Sequence, residues 1–149
     1  MKYPAELNKG LTRYFGASLI GHLAWETLQL PLYSIWREGS SSQIALAVAH
    51  CAFGDMLIAA WTLVVSLILF RLEWPSGKSA FGKFTTVVIA LGVSYTVYSE
   101  WLNVHVRVAW TYSAWMPLLP PLGTGLSPVM QWFVVPYSVL RLVSRGMKP

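Results

Sequence analysis

Four long apolar stretches follow one another in this sequence, and they constrain its fold more than any other feature. They cover residues 14–36, 44–70, 84–102 and 126–143, close to the roughly 17 to 25 residues that a helix needs to cross a bilayer. Hydrophobic residues make up 55% of the chain and charged residues only 11%, whereas soluble proteins are about 25% charged. The sequence therefore predicts an all-α integral membrane protein, a four-transmembrane-helix bundle forming one domain over residues 1–149.

Lysine and arginine residues are divided unevenly between the two ends of these predicted helices. Because basic residues collect on the cytoplasmic side, we expect both termini in the cytoplasm and the loops at 37–43 and 103–125 outside. The polar start of the chain and Glu26 in the first apolar stretch are unlike a cleavable signal peptide. We therefore expect a multi-pass protein of a cell membrane, the bacterial inner membrane. Nine basic residues flank the cytoplasmic ends (Lys2, Lys9, Arg13, Arg71, Lys78, Lys83, Arg141, Arg145 and Lys148), and only Arg37 and Arg107 lie on the other side.

Several functional classes fit the sequence poorly. The basic residues flank apolar stretches instead of forming a patch with polar partners, so nucleic-acid binding is not expected. A lone cysteine, Cys51, allows no internal disulfide and no CxxC site. His22 and His50 would lie about 21 and 9 Å below the outer ends of their helices, which disfavours a haem between them. No familiar metal-ligand spacing joins Glu26, His50 and Asp55, and we expect neither a metal nor a cofactor.

The segment between the third and fourth predicted helices is rich in aromatic residues and proline. Apolar and other residues alternate over 102–110, a pattern that favours a short extended segment. Its aromatic residues could form a lid along the outer membrane interface, although an aromatic-belt loop without a catalytic part explains them more simply. The residues concerned are Trp110, Tyr112, Trp115, Pro117, Pro120 and Pro121.

The first predicted helix carries a stripe of polar side chains. At 100° per residue, His22, Glu26, Gln29 and Tyr33 fall within an arc of about 60°, so they should face the interior of the bundle. Pro31 has no N–H to donate to the carbonyl of the residue four positions before it, which leaves an acceptor free beside Glu26. Ionisable groups in a membrane are costly and are often functional.

Helix depth arranges the polar groups of the other helices around this stripe. Glu26 and Asp55 lie about 15 and 16 Å below the outer ends of their helices, whereas residues 56–70 are almost wholly apolar. His50 lies about 140° around the second helix from Asp55, so the two should point in different directions. The pattern predicts a polar funnel that opens outward and ends at two intramembrane carboxyl groups.

These considerations give a set of candidate site residues. The predicted catalytic residues are Glu26, His50 and Asp55. His22 is interpreted as a hydrogen-bonded packing residue, and Glu100 at the mouth has a solvated end residue as its simplest interpretation. The predicted substrate-binding residues are Trp25, Gln29, Tyr33, Tyr95, Glu100, Asn103, Gln131 and Trp132.

Three functions are compatible with such a funnel. A membrane-embedded acid/base enzyme, an isomerase or hydrolase, could move protons on an apolar substrate from the lipid phase, with aromatic faces stabilising a cationic intermediate or ligand. A small proton-coupled transporter could use Glu26 alternately for a proton and a cation. A non-catalytic accessory subunit could use its polar groups to bind a partner helix. The expected partners are the bilayer, a lipid-phase small molecule and another membrane protein or a second copy, and not nucleic acid.

Overall fold

The computed structural model describes residues 3–75 and 77–146 and is mostly helical. Lys2 and Lys148, which count toward the predicted orientation, lie outside the described residues. The long helices are joined by short turns and by one two-stranded ribbon. In chain order the elements are α1 (Tyr3–Gln29), a 3₁₀ turn (Leu30–Leu32), α2 (Ile35–Glu38), α3 (Ser41–Leu69), α4 (Lys78–Trp101), a π-helical turn (Leu102–Val106), β1 (Leu118–Leu119), β2 (Thr124–Gly125) and α5 (Leu126–Gly146).

Three helical segments of the described chain are long and apolar enough to cross a membrane. They are Ser41–Leu69, Lys78–Val106 and Leu126–Arg145. Helix α1 is 27 residues long, but charged and polar side chains interrupt its apolar surface. A helical membrane protein is therefore well supported, while a membrane crossing by α1 stays a prediction.

The end of the first helix was predicted wrongly. Helix α1 ends at Gln29, and Tyr33 adopts an extended backbone conformation instead of continuing the helix to Trp36. Pro31 explains the difference, because proline disfavours a helical residue before it and lacks the N–H that the next helical turn needs. Tyr33 consequently does not belong to the polar helical stripe.

The start of α3 shows how a local sequence pattern sets a boundary. The Ser40 side chain accepts a hydrogen bond from the Gln43 N–H, and the Gln43 side chain accepts one from the Ser40 N–H at 2.8 Å. This capping box satisfies two backbone donors that the first helical turn leaves free. It places the helix start three residues before the predicted one.

The four long helices pack in a ring in which α1 and α4 each contact both α3 and α5. A cluster of buried side chains around Leu63, Phe84 and Leu140 fills one end of this ring. Near the middle, the fully buried indole of Trp132 lies against Gly92 of α4, where an added Cβ would come within 2.1 Å of the ring. Gly92 therefore permits the close approach of α4 and α5.

Residues 102–110, which the sequence predicts to be extended, contain no strand, and the first five of them are helical. After α4 the chain continues as a π-helical turn, closed by a 2.8 Å hydrogen bond from the Arg107 N–H to the Leu102 carbonyl. Hydrophobic alternation was a poor guide here because helical structure simply continues past Trp101 to Val106. The extended part comes later, where Tyr112 pairs with Tyr33 in an isolated antiparallel bridge.

Hydrogen bonds around this bridge join the two loops at the same end of the bundle. The Ser34 N–H donates to the Thr111 carbonyl at 3.0 Å, and the Ser113 N–H donates to the Leu32 carbonyl at 2.9 Å. The Ser113 hydroxyl adds a bond to the Pro31 carbonyl at 3.0 Å. We call these contacts, between residues 31–34 and 111–113, the loop clasp.

Candidate functional site

A cavity of about 1240 Å³ occupies the end of the bundle where α1 and α4 end and α3 and α5 begin. Ligand pockets usually measure about 300 to 1,000 Å³, so this space could hold a molecule of lipid size. Ten of the eleven predicted site residues line it, and Trp25 does not. The ten are Glu26, Gln29, Tyr33, His50, Asp55, Tyr95, Glu100, Asn103, Gln131 and Trp132.

The two predicted intramembrane carboxyl groups, Glu26 and Asp55, lie together in this cavity. Their side chains are within interaction distance, and the residues are only 8% and 9% exposed. The polar stripe of α1 brings Glu26 against α3, which carries Asp55. The Gln29 amide donates to Oε1 of Glu26 at 2.7 Å, so one carboxylate oxygen of Glu26 is fixed from its own helix.

Gln131 of α5 connects the acid pair to a buried histidine. Its Nε2 lies 2.7 Å from Oδ2 of Asp55 and 2.9 Å from Nδ1 of His22. An amide NH₂ group has two hydrogens, so it can donate both bonds at once in the tautomer of His22 that has an unprotonated Nδ1. His22 Nδ1 is also 3.5 Å from Oδ2 of Asp55. His22, which the sequence analysis interprets as a packing residue, is therefore linked through Gln131 to Asp55.

A second hydrogen-bond chain approaches Glu26 from the other side. The Trp25 indole donates to the Ser127 hydroxyl at 3.3 Å, and that hydroxyl donates to Oε1 of Gln29 at 2.8 Å. Trp25 was predicted to bind substrate, but its indole faces α5 behind the cavity wall because its N–H is bonded to Ser127. Sequence reasoning missed Ser127 in the site, although its position before Pro128 marked the start of a helix beside the funnel.

Glu100 is held at the mouth by a loop residue. The Tyr112 hydroxyl donates to Oε2 of Glu100 and accepts a 2.9 Å hydrogen bond from the Gly125 N–H. Burial, and secondarily the neighbouring Glu100 charge, raise the pKa of Tyr112 well above its ordinary value, so the phenol keeps its proton and acts as donor. Glu100 is 7% exposed, so the simplest interpretation, a solvated end residue, is wrong.

His50 and Asn103 occupy the outer part of the cavity wall. His50 lines the cavity but is exposed, and its imidazole makes no hydrogen bond to another side chain in the described chain. The Asn103 amide donates to the Ser99 carbonyl at 2.9 Å. His50 is therefore separated from the hydrogen-bond network of Glu26 and Asp55, in agreement with the angular separation along α3.

Aromatic side chains close the side of the cavity between α3 and α4. The rings of Trp61 and Tyr95 have centroids 6.5 Å apart, and both residues line the cavity. They are also 48% and 45% exposed on the outside of the bundle. These two rings therefore separate the cavity from the surroundings of the helices.

Within residues 3–75 and 77–146, no group of three or more His, Cys, Asp or Glu side chains could hold a metal ion. Comparison with protein-family models, curated proteins and solved structures finds no match to this chain. A function for this chain therefore has to be inferred from the chemistry of the cavity.

Proposed function

We propose that this protein is a membrane-embedded acid/base enzyme, of isomerase or hydrolase type, that acts on an apolar molecule from the lipid phase. The contact between Glu26 and Asp55 inside the cavity carries the proposal. Two carboxyl groups held beside each other can give and take a proton in one reaction. Such a pair supplies a general acid and a general base side by side.

The surroundings of the pair suit proton transfer. Gln29 and Gln131 each donate to one oxygen of one acid, at 2.7 Å in both cases, which fixes the carboxyl groups in position. Neither amide titrates, so proton transfer at this site is left to Glu26 and Asp55. Preorganised groups of this kind lower the barrier because they need no rearrangement during the reaction.

The position of the aromatic side wall supports a substrate from the bilayer. Leu57, Trp61 and Tyr95 line the cavity and are also exposed on the outer surface of the bundle. A molecule dissolved in the hydrocarbon would meet these side chains directly. Rotation of the two rings would admit it without separating the helices.

Two alternatives have less support. A transporter needs access from both sides of the membrane, but buried side chains including Tyr14, Leu63 and Phe84 fill the other end of the bundle. An accessory subunit would direct its polar groups at a partner, whereas Glu26 and Asp55 interact with each other and with Gln131 of the same chain.

The test is a conversion assay in deuterated water. The purified protein in lipid nanodiscs is incubated with an extract of its host's membrane lipids, and the products are analysed by mass spectrometry. We expect at least one lipid species to be consumed, with deuterium on carbon for an isomerase or added water for a hydrolase. Empty nanodiscs serve as the control. Lipid profiles identical to that control would contradict an acid/base enzyme.

We further propose that all four long helices cross the membrane, with both termini in the cytoplasm of a bacterial inner membrane. Two exposed residues allow a test: Ser42 at the start of α3 and Ser79 at the start of α4, which lie at opposite ends of the bundle. In a Cys51→Ser background, an impermeant maleimide should label Ser42→Cys in intact cells and Ser79→Cys only after permeabilisation. An amino-terminal tag should share the behaviour of Ser79→Cys; if it follows Ser42→Cys instead, α1 does not cross.

A further inference from the structure

The charges around the cavity are opposite in sign to those of the chain. The sequence has eleven Lys and Arg against six Asp and Glu. Among the described residues, four of those acids line the cavity, namely Glu26, Glu38, Asp55 and Glu100, but Arg107 is the only Lys or Arg that does. None of the four is paired with a Lys or Arg of the described residues. In the part of the chain that the structure describes, the cavity therefore has more carboxyl groups than basic side chains, and His22 beside Asp55 is the one basic group within ion-pair distance of any of them.

The three buried acids of this set keep unused hydrogen-bonding capacity. Oε1 of Glu26, Oδ2 of Asp55 and Oε2 of Glu100 each accept a bond from an amide or a phenol. A carboxyl group has about four lone-pair sites on its two oxygens, so each of the three can accept a further hydrogen bond from a donor that enters the cavity.

A buried hydroxyl provides an independent sign of a missing partner. Thr96 lines the cavity and is 6% exposed, yet its Oγ1 has no hydrogen-bond partner in the described chain. It lies one helical turn before Glu100, so the two side chains share a face of α4. Buried polar groups are rarely left unpaired in native proteins, and a polar group of a ligand would satisfy this one.

The remaining walls are apolar and aromatic. Trp61, Tyr95, Trp110 and Trp132 all line the cavity. Aromatic faces attract cations, most strongly when the pair is removed from water. An anion would face the four acids and gain nothing from these rings.

We propose that the natural ligand of the cavity is an apolar molecule that carries one positively charged amine. The ammonium group would lie among the acids, with the aromatic rings and the apolar walls around the hydrocarbon part. This inference rests on the proposed function for the cavity as the substrate site, and it adds the charge of the substrate. Bound there, the amine would be held close to the acid pair of Glu26 and Asp55.

Binding measurements with three probes of equal chain length test the proposal. Tritiated N,N-dimethyldodecylamine is cationic at neutral pH, dodecanol is neutral and dodecanoate is anionic. Each is titrated into nanodiscs with the protein, and binding to empty nanodiscs is subtracted to remove simple partitioning. We expect saturable binding of the amine, at least about tenfold tighter than of the alcohol, as one charge-assisted contact would give, and no saturable binding of the dodecanoate.

Glu100→Gln provides a matched variant, because the glutamine can still accept the hydrogen bond of Tyr112. We expect it to weaken amine binding by about tenfold while alcohol binding stays unchanged. Glu73→Gln makes the same change of charge at an exposed position outside the cavity and should alter neither.

The outcomes separate this inference from the enzyme proposal. Saturable binding of the alcohol that equals or exceeds that of the amine overturns the cationic ligand and leaves the cavity as a site for apolar substrates. Equal effects of Glu100→Gln and Glu73→Gln on the amine also overturn it. If no probe binds saturably, the cavity is not a ligand site and both proposals fail.

Discussion

Replacement of Gly92 by alanine is expected to destabilise the bundle severely. The new Cβ would lie 2.1 Å from Cε3 of Trp132, whose indole is fully buried between the helices. The rigid ring cannot give way without moving α5, and overpacking of this kind costs about 1 to 3 kcal/mol or more. We expect a loss near or above the upper end of that range, measured by thermal unfolding in detergent, and a much lower yield of folded protein.

Gly82→Ala is the matched control for this prediction. It lies in the same helix, α4, but an added Cβ would have no atom within 4 Å. Alanine there should be neutral or stabilising by up to about 1 kcal/mol, because alanine is the better helix former. Equal stability of the two variants would show that Trp132 does not pack against α4.

Loss of either member of the acid pair is expected to abolish conversion of the substrate. Glu26→Gln and Asp55→Asn keep the shape of the side chain but remove the proton-transferring group. General acid/base catalysis contributes about 10²- to 10⁴-fold to a rate, so we expect losses of at least about 10²-fold in the lipid conversion assay. The unfolding temperature should change little in comparison, because an amide can accept the same hydrogen bonds from Gln29 and Gln131.

Three further variants sharpen this result. Glu73→Gln should keep full activity, since Glu73 is exposed and lies outside the cavity. The sequence assigns His50 to catalysis, but the hydrogen bonds place His22 nearer the acids. We therefore expect His22→Ala to reduce conversion more than His50→Ala does. The opposite order would favour the original assignment of His50.

The sequence predicts most of the helices and ten of the residues that line the cavity. The apolar stretches locate α3, α4 and α5 because length and hydrophobicity are local properties that need no tertiary information. The 3.6-residue period also places His22, Glu26 and Gln29 on one face. Ten of the eleven proposed site residues line one cavity, which is what a common polar face predicts.

The errors in the sequence-based prediction concern where α1 ends and how far α1 and α3 are offset along the bundle axis. With its end placed at Trp36, the first helix puts His22 deeper than Asp55, whereas α1 ends at Gln29 and His22 contacts Asp55. Asp55 lies fourteen residues into α3, about 21 Å along the axis, but Glu26 is three residues from the end of α1. The first turns of α3 therefore project beyond α1. No periodic pattern reports such an offset, because it depends on how the helices pack.

Long-range loop contacts were also beyond the sequence. Tyr112 reaches Glu100 and Gly125 together, and its backbone pairs with Tyr33, 79 residues earlier. The sequence marked Tyr112 only as an interfacial aromatic residue. Its hydrogen-bonding role depends on the loop fold, and that fold depends on partners distant in the chain.

A molecule could enter the cavity past the loop clasp or between α3 and α4, and we expect these two routes to have different kinetics. The bonds of Ser34, Thr111 and Ser113 join the two loops, so neither loop can lift away without the other, and opening there is a local unfolding event. Passage between α3 and α4 needs only rotation of Trp61 and Tyr95, and exposed side chains rotate within about nanoseconds. Residence times of bound molecules should therefore follow the size of these two rings and depend little on loop stability.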